Sequence, residues 1–413
     1  MTFRDHKKWV VVGLLWIVAC LNYMDRMTLF ATFPVLKREM HLSNIELAML
    51  GSVFLWAYGV CSPIGGYLGD RFNRKTVALT SLVIFSIVTF ATGWAQNQSQ
   101  LVTLRIFLGI SEALFLPTAL AHIAAFHSNA TRSLANAVAL TALPAGAGLG
   151  GFYGGFMAEH YSWRSGFYLL GVFGLMLFLV LLVLLPNEES VARQSRASRV
   201  SVGPGDSVSG KIVGVLRNRT SVCLIFLGAA LSVTSWPTGS WMPTYFYERF
   251  GMSLTRSGFI LGLFTYIPAM VGSIAGGLWA DRWAKTTLKG RIWVQVIALS
   301  FMAPTMLAVG FIPSVELMTL NLFIYSLARG PLEVNSMPIF SSVMSSGKWA
   351  TAYGLYNLAG TIAGSLGILF VGALKDFWGI GRSLSLMSVF LFSAIIVMAL
   401  APFRVSPERQ LED

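Results

Sequence analysis

Gly65-Gly66-Tyr67-Leu68-Gly69-Asp70-Arg71-Phe72-Asn73-Arg74-Lys75 joins two long apolar stretches, and Gly276-Gly277-Leu278-Trp279-Ala280-Asp281-Arg282-Trp283-Ala284-Lys285 joins two others about half the chain further on. Both segments run from small residues to an Asp-Arg pair and end in basic residues. A polar loop recurring at that distance points to a chain built from two similar halves, an arrangement common among proteins that bind a ligand between membrane-embedded repeats. Gly66 and Gly69 let adjacent helices approach closely. Asp70, and Asp281 in the second copy, can accept hydrogen bonds at a neighbouring helix N-terminus, where the macrodipole favours an anion. Arg71 and Arg74, with Arg282 in the second copy, hold the turn in water. The duplication therefore predicts a conformational latch made of Gly66, Asp70, Arg71, Arg74, Asp281 and Arg282. The plainer alternative is a topology anchor.

The stretches on either side of these loops set the class. The chain has 413 residues, 55% hydrophobic and only 12% charged, where a soluble domain carries about a quarter charged residues. Apolar segments of about 20 residues or more suffice to cross ~30 Å of hydrocarbon as helix. Twelve are predicted, near 9–33, 46–68, 76–94, 100–126, 132–158, 165–186, 218–246, 256–279, 291–312, 316–342, 350–372 and 382–403. The expectation is an all-α membrane protein of twelve transmembrane helices in two pseudo-symmetric six-helix bundles. The N-terminal bundle takes 1–186, a cytoplasmic linker 187–217 and the C-terminal bundle 218–413. The linker holds Glu188-Glu189, then Arg193, Arg196 and Arg199 among serines, then Gly203-Pro204-Gly205. That composition suits a flexible segment with at most a short surface helix, whose arginines can touch anionic lipid heads. The first span is too long for a cleaved signal peptide and carries Asp25-Arg26.

Most of the 30 Lys and Arg fall on the side that holds both termini, which places the termini in the cytoplasm of a multi-pass inner-membrane protein. The same bias explains the net charge of +12 without nucleic acid as a partner. Cys20, Cys61 and Cys223 fall inside predicted spans, and the five histidines are scattered. Neither suggests a disulfide framework or a metal site. No metal ligand set, nucleophile arrangement or phosphate loop points to an enzyme or a cofactor.

Six charges stand inside the predicted membrane segments: Asp25 and Arg26 in the first, Arg105 and Glu112 in the fourth, Arg329 and Glu333 in the tenth. Each costs at least ~2.5–3.5 kcal/mol in a bilayer, so together they imply a wet, polarised cavity, the signature of a transport pathway. The first span runs outward and the fourth inward, which brings Asp25 and Arg105 to similar depth in the outer half. Glu112 follows Arg105 by two turns on the same face. Asp25 with Arg105 and Arg26 with Glu112 are pairs the depths allow; exchanged partners are equally allowed. Arg329 and Glu333, four apart, share a face. Arg329 can offer a planar, permanently charged fork to a carboxylate or phosphate. Burial disfavours a charged carboxylate and a neighbouring guanidinium favours it. A proton can therefore come and go at Asp25 or Glu112 as the cavity opens to either side, releasing an arginine for an anion. Ion pairs that only hold helices together are the alternative.

The loop Gly66-x-x-Gly-Asp-Arg-x-x-Arg-Lys, with twelve spans, a central linker and a weaker second copy, resembles the major facilitator superfamily. Asn22-Tyr23-Met24-Asp25-Arg26, and then Arg105 and Glu112, resemble its anion:cation symporter group, as do Gly330-Pro331 and Gly354-Leu355-Tyr356-Asn357-Leu358-Ala359-Gly360. That resemblance implies symport of organic anions such as sugar acids, driven by a proton gradient as the energy source and with no other cofactor. It implies proton coupling at Asp25 and Glu112 and substrate binding at Arg26. Arg329 and Glu333 depart from the apolar or aromatic residues usual in sugar-acid carriers. Asn22 to Arg26 and Gly66 to Lys75 also resemble spinster-type transporters, which imply a lysolipid, sphingolipid or amphipathic drug exporter instead.

In the fifth span, Pro144 to Gly155 holds six glycines and predicts tight packing against moving neighbours. In the seventh, Trp236-Pro237-x-Gly239-Ser240-Trp241 predicts a kink. Trp236, Trp241, Tyr245, Tyr266, Tyr325 and Tyr353 are candidates to line a cavity and hydrogen-bond a hydroxylated ligand. The expected substrate contacts are thus Tyr23, Arg26, Arg105, Trp236, Trp241, Tyr325, Arg329, Glu333, Tyr353 and Asn357. The protein is expected to work as a monomer, with an anionic small molecule, protons and membrane lipids as its partners.

Overall fold

The structure, a computed structural model, describes residues 3–187, 208–287, 289–344 and 348–402, and all its regular elements among these are helices. The first half of the sequence gives α1 (Phe3–Ala31), α2 (Phe33–Glu39), α3 (Asn44–Arg71), α4 (Arg74–Thr92), α5 (Gln98–Ala113), α6 (Phe115–Phe126), α7 (Asn129–Leu140), α8 (Ala142–His160) and α9 (Trp163–Leu184). The second gives α10 (Val208–Arg217), α11 (Arg219–Phe250), α12 (Leu254–Leu261), a π-helical turn (Gly262–Tyr266), α13 (Ile267–Ala284), α14 (Gly290–Ala308), α15 (Val315–Val343), α16 (Trp349–Leu386) and α17 (Ser388–Ala399). Of the expected linker, 188–207 lies outside the described residues.

Polar caps open six of these helices. Ser43 and Glu46 form a reciprocal capping box on α3, and Asn73, Asn97, Ser162, Ser253 and Ser314 accept from first-turn N–H groups of α4, α5, α9, α12 and α15. Each side-chain oxygen satisfies a donor that has no partner within its helix.

Prolines account for three of the interruptions. A proline lacks the N–H for the carbonyl four residues back and collides with it. Pro117 stands four after Ala113, where α5 ends; Pro144 stands four after Leu140, where α7 ends; Pro268 stands four after Phe264, inside the π turn. Pro237-x-Gly239, where a kink is expected, does not end a helix: α11 is continuous with Pro237 and Pro243 inside it. There the hydroxyls of Thr234 and Thr238 bond back to the carbonyls of Ala230 and Thr234, and Gly367 of α16 packs on the Val233 carbonyl that Pro237 leaves without its helical donor. Neighbouring groups of this kind are what lets a membrane helix carry a proline.

Ten helical stretches among the described residues are long and apolar enough to cross a bilayer. The last, Thr351–Ala399, covers two expected spans, because Gly379, at φ 74°, turns the chain within it. The tenth expected span is present as α15, where Glu316, Arg329 and Glu333 interrupt the apolar run.

The chain divides into two compact units, Met1–Ser201 with Gly251–Gly262, and Val202–Phe250 with Leu263–Asp413. Within the first, α8 uses two glycine faces. Gly146, Gly150 and Gly154 lie on the backbone of Cys20, Met24 and Thr28 in α1, leaving no space for a Cβ. Gly151 and Gly155 lie against Gly258 and Leu254 of α12. The second contact explains why α12, from the second half of the sequence, belongs to the first unit by its packing.

Candidate functional site

Four of the six intramembrane charges meet inside the first unit. Arg26 of α1 donates from Nε to Glu112 Oε2 of α5 at 2.7 Å and from Nη2 to Asn22 Oδ1, one turn back, at 2.9 Å. One position earlier, Asp25 points differently around the helix and accepts from Arg105 Nη2 at 3.4 Å and Nη1 at 3.5 Å, also from α5. The Thr89 hydroxyl of α4 donates to the other Asp25 oxygen. The seven-residue spacing of Arg105 and Glu112 makes this possible, because two turns of one helix present a cation and an acid at two depths. Of the pairings that the spacing allowed, Asp25–Arg105 and Arg26–Glu112 are formed.

All four side chains are at most 3% exposed. Yet Glu112 Oε1, Arg105 Nε and Asn22 Nδ2 are buried without a hydrogen-bond partner. Each buried ion loses several kcal/mol of hydration (roughly, after relaxation), which an incompletely bonded network does not restore. Stability is therefore a poor explanation of the cluster.

Arg26 is also enclosed by three rings, with centroids 4.5 Å (Tyr23), 4.8 Å (Phe54) and 4.6 Å (Tyr58) from its guanidinium carbon. A desolvated cation–π contact contributes up to ~2 kcal/mol, so the cage holds the guanidinium even without a carboxylate. Phe54, Tyr58 and Thr89 are not among the residues that the sequence marks. An aromatic pair at i, i+4 was the available signal, but such pairs are common in apolar helices.

The remaining charges lie in the second unit. Arg329 bonds Glu333 one turn further along α15, at 2.7 Å from Nε and 2.6 Å from Nη2, with side chains 24% and 45% exposed. Tyr353 and Tyr356 of α16 stack 5.6 Å apart, both against Phe340, within electrostatic reach of Glu333. Asn357, one turn on from Tyr353, is exposed. Tyr325 is buried, its hydroxyl 3.4 Å from Thr234 and Ser235. Trp236 is half-buried against Gly364. Trp241 departs from expectation: it is fully buried, and its indole N–H donates to the Ile368 carbonyl at 3.2 Å, so in this conformation it packs α11 on α16 rather than lining a cavity.

In the loops, Gly65 and Gly69 make the close approach, to Ala113–Leu114 and Thr118. The side chain of Asp70 and the surroundings of Gly66 lie outside the described residues. Arg71 donates to the Tyr67 hydroxyl at 2.8 Å, and Arg74 to the Ala121 carbonyl at 3.4 Å. In the second copy Asp281 accepts from Arg291 of α14 at 2.5 Å, and Arg291 also reaches Asn335 of α15 at 3.2 Å. Asp281 thus ties the loop to two further helices, through partners the sequence did not mark; Arg282 is exposed.

The sequence model described as the Major Facilitator Superfamily matches residues 15–368. The chain belongs to the Major Facilitator Superfamily. It is a multi-pass membrane transporter of a small molecule, not an enzyme. Among relatives of this superfamily, a probable sulfoacetate transporter of Cupriavidus necator is 26% identical over 91% of this chain and 89% of its own length. A probable galactarate/D-glucarate transporter of Escherichia coli is 24% identical over 89% and 88%. The crystal structure of a bacterial homologue of the human lysosomal transporter Spinster superimposes with a TM-score of 0.80 at 18% identity, over 96% of this chain and 97% of that one. At that identity the likeness is one of superfamily fold.

Proposed function

We propose that this transporter carries a small organic anion, a carboxylate or sulfonate of sugar-acid size, together with protons, by alternating access. In this proposal it lies in the inner membrane with both termini in the cytoplasm. The observation that carries the proposal is the buried double ion pair in which Glu112 keeps one oxygen unpartnered. A proton can be accepted there without first breaking a hydrogen bond. Once neutral, Glu112 no longer balances Arg26, which stays in place through Asn22 and its three rings. Its charge is then available to an anion, and an Arg fork binds a carboxylate in two-point fashion. Arg105, held by Asp25, whose other oxygen accepts from Thr89, remains neutralised meanwhile, so Arg26 is the cation set free in the first unit. In the second unit Arg329 is the corresponding anion-binding candidate. The relatives described as transporters of sulfoacetate and of galactarate and D-glucarate support the ligand class.

The test is uptake of D-glucarate and sulfoacetate into proteoliposomes under an imposed pH gradient. Uptake should rise when the outside is acidified, and Glu112→Gln should lose that dependence. A Glu112→Gln protein that responds to the gradient as the parent does removes Glu112 from coupling. Export of lysolipid without uptake of either anion sinks the ligand class.

A further inference from the structure

The second unit carries a cleft that the proposed cycle does not use. About 380 Å³ in volume, it is lined by residues near the end of α11 (Tyr245, Glu248, Arg249), by Gly310, and by Lys375 and Trp378 to Arg382 around the Gly379 turn of α16. That volume is within the range of small-ligand sites. Its base is knit together: Tyr245 donates to the Val309 carbonyl at 3.1 Å, and the Gly310 N–H donates to Ser385 Oγ at 2.8 Å. A side chain at Gly381 would meet the Tyr245 ring, and one at Gly310 would meet Ser385 and the Arg382 backbone.

Charge in the cleft is one-sided. Glu248 is balanced by Lys375 at 2.7 Å, and Lys375 is only 8% exposed, its ammonium 5.3 Å from the Trp241 ring. Arg249 and Arg382 make no ion pair among the described residues. Two guanidinium groups around one cleft repel each other unless an anion lies between them. Their planar forks match carboxylate, sulfonate and phosphate oxygens.

We infer that the cleft of Arg249, Lys375 and Arg382 is a second oxyanion site, separate from Arg26, that takes either a small soluble anion or the phosphate of an anionic lipid. Its chemistry is two-point recognition by Arg249 and Arg382, with Trp378 as an apolar wall and the Lys375–Glu248 pair fixing the rim. By the distribution of Lys and Arg these residues belong to the outer face, where an anion would meet them before entering the transport pathway. Concentrating a charged ligand at an entrance raises its association rate, the more so at low salt.

The experiment uses full-length protein carrying Arg26→Gln, so that the proposed transport site does not report, in phosphatidylcholine nanodiscs. Inorganic phosphate and D-glucarate are titrated calorimetrically, and bound phosphatidylglycerol is measured by native mass spectrometry after exchange into discs that contain it. Expected is binding of a soluble anion, or retention of phosphatidylglycerol, weakened at least about tenfold by adding Arg249→Gln and Arg382→Gln, equivalent to ~1.4 kcal/mol or more. Which arm responds identifies the source. The inference is overturned if neither arm shows binding, or if the added substitutions leave both unchanged while the melting temperature stays at that of the parent. Because it rests on the second unit alone, loss of proton coupling in Glu112 variants leaves it standing.

Discussion

Glu112 and Glu333 each accept an arginine Nε at 2.7 Å, but the two pairs are built differently. In the first unit the pair crosses from α5 to α1, is closed to solvent, and adjoins a second buried pair through the neighbouring residues Asp25 and Arg26. In the second unit the pair lies within one helix and is partly exposed. Neutralising Glu112 changes what holds two helices together. Neutralising Glu333 changes only the orientation of a side chain on a helix that is already formed. The first arrangement can couple protonation to helix movement; the second is suited to presenting a charge.

The largest test of this contrast is to remove one partner from each unit. Arg105→Leu leaves Asp25 buried and uncompensated and should cost about 3–5 kcal/mol, seen as a large fall in melting temperature. Arg329→Leu should cost no more than about 0.5 kcal/mol. Similar losses from the two substitutions would erase the distinction.

Next, Arg26→Met combined with Glu112→Leu should restore most of the stability that Glu112→Leu alone loses, because the buried charges leave together. Uptake should nevertheless be abolished. If Glu112→Leu alone melts like the parent, the Tyr23, Phe54 and Tyr58 cage suffices for Arg26 by itself.

Arg329→Gln should leave melting nearly unchanged yet weaken anion binding by about 10- to 100-fold, the scale of one charged hydrogen bond. Unchanged affinity in a binding titration would leave Arg329 as surface charge.

The smallest effect concerns pH. All five histidines precede residue 161, so any histidine-linked dependence belongs to the first unit. His127, between α6 and α7, bonds Lys8 O at 3.3 Å and Thr131 at 3.1 Å. A carbonyl only accepts, so a neutral ring that donates from Nε2 and accepts at Nδ1 satisfies both. Burial, opposed by the Lys8 carbonyl and reinforced by the Lys8 charge, holds its pKa below the usual histidine value. The unfolded chain therefore takes up the proton first as pH falls. The stabilisation is complete above the ordinary histidine range and lost as pH drops through it and below. Melting curves between pH 8 and 5 should show a slightly steeper acid loss for the parent than for His127→Gln, with roughly one proton's linkage between them.

Much of this was legible in the chain. Length and apolar content establish the membrane class, since a continuous apolar helix of that length satisfies its own backbone across lipid. The duplicated Asp-Arg loop shows that there are two halves. The spacing of Asp25, Arg26, Arg105 and Glu112 brings acid and base to matching depths. The breaks after α5 and α7 fall within spans expected to be continuous, 100–126 and 132–158; Pro117 and Pro144 were the available signal, but Pro63, Pro304 and Pro331 stand inside unbroken helices, so a proline alone does not decide. The continuity of α11 through Pro237 rests on hydroxyls and on a glycine of another helix.

What tertiary structure alone decided are the facts that depend on rotation and contact between helices. It chose between two allowed sets of ion pairs, assembled a ring cage from Phe54 and Tyr58 around a residue of α1, and buried Trp241 where its composition suggested a lining residue. It also joined Asp281 to Arg291 and Asn335. The reason is physical: hydrophobic length and local periodicity are properties of a single segment, whereas the partner of a buried charge is set by which faces of several helices meet.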